Sequence, residues 1–285
     1  MRTLRLSLVG TVILVLLGGL GGLVTGQESQ APDATPIAGD GVTVDTLTQV
    51  TIAASDLPES VDSILLVHLR LPGESTSIWM HENTAAQISY VLEGELQAPV
   101  TGRTEIIHAN GDLEALDTGV ALGAEPGDTV IGYDLTLPKV YANSAATPVD
   151  WLGSVFAHGG WGVNDIPLVE TGSALEFPGG DWLTPYDFGE AGLTGRPLLV
   201  TIRRVTLEPG AKIEVEDRYA AVRLIEGGVV TRTPMENGAP TASPIRMSST
   251  IPYVRPEPGS VIELSNQGSE SAMFYELAVE PASSE

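Results

Sequence analysis

The chain contains no cysteine. That single absence removes disulfides, thiolate metal sites, cysteine nucleophiles and lipid-modified cysteine anchors together. Basic residues are also scarce, with 14 Lys and Arg against 37 Asp and Glu and a formal net charge of −23. A surface of that sign repels phosphate backbones and anionic lipid headgroups, so a nucleic-acid partner is excluded. Histidine occurs four times, which leaves few imidazoles for a metal centre. The chain has no G-x-S-x-G elbow, no H-E-x-x-H and no G-x-x-x-x-G-K-[ST], the spacings that build esterase, zinc-protease and nucleotide sites. Sustained 3.6-residue periodicity is nearly absent, which argues against helical architectures.

What is present suits an exported β protein. The chain has 285 residues, 42% of them hydrophobic, with 32 Gly and 20 Pro. That is enough for one large or two small domains rich in turns. It begins MRTLRLSLVGTVILVLLGGLGGLVTG: Arg2 and Arg5 make a basic start, an uncharged apolar run follows, and Val24 and Gly26 suit cleavage before Gln27. Residues 1–26 therefore read as a signal peptide or an uncleaved hydrophobic anchor helix. Either places the rest outside the cytoplasm, secreted or held to the membrane by that segment alone. Residues 27–43, polar and rich in Pro, Ala and Asp, read as a disordered linker. Without its two arginines the exported part carries 12 basic and 37 acidic groups, or −25.

From there on the pattern has period two. In SILLVHLRLPG, Leu65, Val67, Leu69 and Leu71 share one face and Leu66, His68 and Arg70 the other, so His68 is expected at the surface or half-buried. ISYVLEGEL, GDTVIGYDLTL, VDWLGSVFA, PLLVTIRRVTLEPG, AAVRLIEGGVVTR and AMFYELAVEP continue the series. Strands punctuated by Gly and Pro, with no regular helices between them, predict antiparallel β-barrels or sandwiches. The pattern is also doubled. VHLRLPGEST then SYVLEGEL echoes as RRVTLEPGAKI then VRLIEGGVV, and each copy runs on through a PGD or PGS turn to an Asn, Asn143 or Asn266. Two copies of one β unit follow, one over 44–160 and one over 196–282, with 161–195 as the connection.

The motifs in these copies resemble those of the cupin superfamily, and the doubled unit resembles a bicupin. The family's first motif runs Gly, five residues, His-x-His, three or four residues, Glu, six residues, Gly. Gly94 fits the closing glycine; Gln87 then stands at the Glu position and His81 and Asn83 at the two His positions, with Gly73 two residues too far upstream. In the second motif Asn143 fits the Asn and Lys139 replaces the His. In the second copy, counting from Gly227 puts Glu214, Glu216, Ala220 and Ile262 at the corresponding places. The resemblance implies two jelly-roll barrels in tandem, all-β, behind the hydrophobic helix. One imidazole, two amides and an ammonium are a poor donor set for a first-row metal. No cofactor and no catalytic residue are therefore expected, a divalent metal centred on His81 being the alternative.

His81, Asn83, Gln87, Ser89 and Lys139 are instead expected to line a cavity for a small oxygen-rich ligand, a sugar or a carboxylate, unless they pair with one another and plug the barrel. Trp79, Trp151, Trp161 and Trp182 are available to stack on a sugar or to fill core and seam. His108 is expected in an exposed turn, and His158 at a barrel end or seam. The implied function is a non-catalytic binding or structural module, the alternative a metal-dependent oxygenase or isomerase. Edge-strand pairing between two copies leaves monomer and homodimer both open.

Overall fold

A computed structural model describes residues 39–57, 59, 61, 63–79, 84–135, 139–157, 176–179, 184–185, 188–189, 191–217, 219–247 and 260–282. The N-terminal hydrophobic segment, His81, Asn83, His158, Trp161 and Trp182 lie outside them, as do the side chains of Trp79 and Lys139. Among the described residues, no helix is long and apolar enough to cross a membrane.

The fold is all-β, as the alternation predicts. The first half holds β1 (Val42–Ile52), β2 (Ser63–Leu71), β3 (Ser75–Trp79), β4 (Thr84–Glu93), β5 (Leu96–Pro99), β6 (Thr104–Ile107), β7 (Leu113–Leu116), β8 (Ala121–Ala124), β9 (Thr129–Leu135), β10 (Lys139–Asn143) and β11 (Val149–Ala157). The connection supplies β12 (Glu176–Gly179) and β13 (Thr184–Pro185). The second half holds β14 (Leu198–Leu207), β15 (Lys212–Asp217), β16 (Ala220–Gly227), β17 (Val230–Glu236), β18 (Ala239–Pro240), β19 (Ile245–Met247), β20 (Ser260–Asn266) and β21 (Ala272–Pro281).

Each half closes two sheets around a core. In the first, β12-β2-β11-β4-β9-β6-β7 is one sheet and β3-β10-β5-β8 the other; in the second, β1-β14-β21-β16 is one sheet and β15-β20-β17-β18 the other. Strand β1 thus pairs with β14 of the second half, while β12 and β13 from the connection pair with β2.

Three apolar clusters follow from the alternation. Leu65, Val67, Leu69, Leu71, Val91, Tyr141, Trp151 and Val155 belong to the interior of the first barrel. Val205, Leu207, Ile213, Ile225, Ile262, Leu264 and Phe274 belong to that of the second. The third is the seam, where Leu66, Ile88, Leu152 and Phe156 share a cluster with Val200, Ile202, Leu224, Tyr275 and Leu277. The second face of β2 is therefore not a solvent face. A strand covered on both sides reads as a continuous apolar run, and SILLV is that run. His68 sits in the seam, mostly buried, with Nδ1 3.1 Å from Glu226 Oε1 of the second barrel and Nε2 3.3 Å from Asp150 Oδ1 of the first.

The internal repeat has a physical basis in two asparagines. Asn143 Nδ2 donates to the carbonyls of Leu71, Pro72 and Thr147, and its Oδ1 accepts from the Ala145 amide. Asn266 Nδ2 donates to the carbonyls of Leu207 and Glu270, and its Oδ1 accepts from the Gly268 amide. Each ties the end of the first inner strand to the turn before the last one, satisfying backbone groups that leave the ladder there.

The closing glycines correct the second-copy count. Gly94 has φ +76° and a Cβ there would lie 2.8 Å from Pro148 O; its counterpart is Gly228, with φ +72° and 2.8 Å from Ala272 Cα. Gly227 has neither constraint. Counting from Gly228 moves the corresponding positions from Glu214, Glu216 and Ala220 to Val215, Asp217 and Ala221. In a strand a one-residue slip turns every side chain to the other face. Glu214 and Glu216 accordingly lie on the exposed face of β15, while Ile213 is buried in the core and Val215 packs against it.

Candidate binding site inside the first barrel

The inner face of the first barrel can be read in cross-strand rows from β2 through β11 to β4. Leu69, Trp151 and Val91 form one row, Val67, Gly153 and Ser89 the next, and Leu65, Val155 and Gln87 the third. The apolar members fill the core, and three polar groups intrude on it. Gln87 is 1% exposed and Ser89 4%. Tyr141, from β10 in the facing sheet, is also buried. Gly153 carries no side chain because a Cβ there would come within 3.0 Å of Leu69 Cδ1 and 3.5 Å of Val67 Cγ1.

Gln87 organises these groups. Its Nε2 donates to Tyr141 Oη at 3.3 Å and to Ser89 Oγ at 3.4 Å. Burial pushes the Tyr141 phenol up to about 12, and the Gln87 hydrogen bond offsets this only in part. The phenol is therefore a neutral donor at physiological pH. Its ring lies 5.2 Å from that of Trp151 at a tilt of 39°. Two buried atoms on this face have no hydrogen-bond partner among the described residues, Gln87 Oε1 and Trp151 Nε1. Leaving a buried acceptor and a buried donor unmade costs roughly 1–3 kcal/mol each.

Of the five residues expected at the site, Gln87 and Ser89 face the interior and touch each other. Lys139 opens β10, its backbone opposite Trp79; His81 and Asn83 belong to the undescribed stretch. Tyr141 and Trp151 complete the arrangement. Tyr141 was legible in principle, since it lies two residues before Asn143 on the same alternation. Trp151 is a core residue.

The described lining offers an amide, two hydroxyls and an indole, all neutral. Those groups do not make a divalent-metal site, which needs imidazole or carboxylate donors. Among the described residues no group of three His, Asp or Glu side chains could hold a metal.

At the corresponding height the second barrel is ionic. The row Val67–Gly153–Ser89 is replaced by Arg203–Glu276–Arg223. Arg223 Nε and Nη2 both lie 2.7 Å from Glu276 Oε2, and Arg203 Nη1 lies 3.2 Å from Glu276 Oε1. Burial acts to raise the Glu276 pKa, but Arg223 and Arg203 outweigh it and hold the carboxyl below its usual range. A signal for this row was Arg203, a charge at an inward position of the apolar strand PLLVTIRRVTLEPG, whereas its neighbour Arg204 is exposed and pairs with Asp45.

No protein-family model matches the chain, and no curated protein matches it. Solved structures do. The oxalate decarboxylase of Bacillus subtilis, in a study of its Mn(II) centres, is 14% identical with a TM-score of 0.40; the match covers 83% of this chain and 74% of that one. The Lactobacillus farciminis oxalate decarboxylase formate complex is 11% identical at 0.40, covering 87% and 86%. AerE from Microcystis aeruginosa is 10% identical at 0.37, covering 79% and 97%. The Mn(II) centres of the first correct the expectation that no cofactor is used: a structure similar to this one holds a metal. The fold itself is all-β, two antiparallel two-sheet units in tandem.

Proposed function

We propose that this protein is an extracytoplasmic small-molecule-binding module whose ligand sits inside the first barrel. The observation that carries the reading is the buried Gln87 amide, which reaches Tyr141 and Ser89 through its nitrogen while its oxygen has no partner among the described residues. A ligand group that donates to that oxygen would recover the cost of burying it. The basic, then apolar, N-terminal segment supports export, and the charge of −23 supports a soluble, acidic exterior. The ligand class that suits these groups is oxygen-rich, a sugar or a small carboxylate, and binding rather than turnover is its role.

The competing reading is a metal-dependent enzyme centred on His81. Elemental analysis by mass spectrometry of protein prepared without chelating tags separates the two, with His81→Ala as the control. About one equivalent of a transition metal, lost in the control, would replace binding by metal-dependent chemistry. Ligand screening by saturation-transfer NMR tests the binding reading directly: a small polyol or carboxylate contacted by wild type and lost in Gln87→Leu supports it, and an empty screen defeats it.

A further inference from the structure

We infer that the seam between the two barrels is a pH-sensitive latch, closed when the His68 imidazolium bridges Asp150 of the first barrel and Glu226 of the second. The latch goes beyond ligand binding and does not rest on it. His68 stands on the seam face of β2, against which β16 packs. Its side chain is 14% exposed, that of Glu226 13% and that of Asp150 9%. Nδ1 lies 3.1 Å from Glu226 Oε1 in a hydrogen bond. On the other side of the ring, Nε2 and Asp150 Oδ1 face each other at 3.3 Å, both buried and neither with a hydrogen-bond partner among the described residues.

A neutral imidazole has one N–H to give. Given to Glu226, it leaves the Nε2 lone pair against an anionic oxygen, two acceptors with no proton between them. A second proton on the ring supplies the donor that both atoms lack. The surrounding charges favour the same occupant. Arg70, on the same strand, lies 3.4 Å from Asp150 Oδ2 but is 41% exposed. Among the described residues the ion-pair partner of Glu226 is His68. Tyr275 of β21 sets its ring edge-on to the imidazole at 6.4 Å. Burial, then Glu226, raise that phenol against Arg204 of β14, and burial raises Tyr90 of β4, so neither tyrosine brings a charge. From β12 comes Glu176, exposed and opposite Arg70. With the ring neutral, two mostly buried carboxylates share Arg70; with it charged, each has a cation of its own. Histidine is the side chain that makes this change near neutral pH. Proton uptake therefore favours the docked barrels, and rising pH releases a contact across the seam.

The test is amide hydrogen exchange on the full-length protein, read by mass spectrometry as protection factors at about pH 5.5 and pH 8.5, either side of the histidine range. Peptides from β2 and β16 should lose about tenfold in protection at the higher pH, the worth of one charge-assisted hydrogen bond, while β6 and β17 hold theirs. His68→Gln, which cannot change charge, should show the lower protection at both values. Glu226→Gln keeps the ring but removes its partner across the seam, and should also abolish the step. Circular dichroism checks that both variants fold, and Glu226→Gln carries the test alone if His68→Gln does not. His108→Gln should leave the step intact. A step that survives both seam variants, a fall of equal size in every strand, or protection at β2 and β16 that is constant or rises with pH would each overturn the inference.

Discussion

The ionic row of the second barrel makes the sharpest prediction about stability. Arg203, Glu276 and Arg223 stand side by side on β14, β21 and β16, with Arg223 and Glu276 almost wholly buried. Removing one partner of a buried ion pair costs about 3–5 kcal/mol, chiefly because the remaining charge is left without compensation. Glu276→Gln keeps the volume and turns the carboxylate into an amide between two guanidiniums, so it should cost that amount. With a urea slope of about 2–3 kcal/mol per molar, the midpoint should fall by about 1–2 M. Replacing all three by apolar residues, Arg203→Met with Glu276→Leu and Arg223→Leu, removes the charges together and should recover most of the loss.

The pH dependence follows from the direction of the Glu276 shift. Its folded pKa is held below the ordinary value of 4.5, against the effect of burial, by Arg223 and Arg203. The stability it contributes is therefore fully present above 4.5 and is lost as pH falls through the lower folded value. Urea midpoints measured between pH 6 and pH 3 should fall more steeply for wild type than for Glu276→Gln. The reasoning is refuted if Glu276→Gln costs less than about 1 kcal/mol at pH 7, or if the triple variant is no more stable than the single one.

Other outcomes are as definite. Asn143→Ala strands three carbonyls and Asn266→Ala two, so each should lower stability by about 2–4 kcal/mol in thermal or urea unfolding. Gly228→Ala forces a side chain into a positive-φ site against Ala272 and should cost about 1–3 kcal/mol, whereas Gly227→Ala, with open space around it, should cost well under 1. Hydrogen bonds donated by the His108 ring to Glu114 and Asp128 raise its pKa above 6.5; its contribution is complete below 6.5 and lost as pH rises through the folded value. NMR titration of the ring should show the raised midpoint in wild type and its fall in Asp128→Asn. Deleting residues 1–52 removes β1, whose register with β14 runs from Val42↔Leu207 to Ile52↔Leu198. The bared edge should make the protein aggregate on gel filtration.

What the sequence made legible is what alternation and turn chemistry can carry. The inward stripe Leu65–Val67–Leu69–Leu71 is a period-two signal, and it lines the first barrel. Asn143 and Asn266 were found as an echo, and they perform the same backbone clamp in both halves. Gln87 and Ser89 were placed by counting from one positive-φ glycine, Gly94, and both are buried on the inner face. The same count failed in the second copy for a local reason: two adjacent glycines, Gly227 and Gly228, offered two registers, and only the backbone dihedral separates them. One residue of error there exchanged an exposed pair of glutamates for a buried face. The seam was not legible, because period two says which residues share a face but not what covers it. His68 meets Glu226 across 158 positions of chain, and β1 reaches its partner strand across a comparable distance. Pairings of that kind are fixed by how the two barrels dock. The most informative sequence signals for them were the anomalies, charged residues inside apolar strands: His68, Arg203 and Glu276 each mark a place where the fold supplies a partner that its own strand lacks.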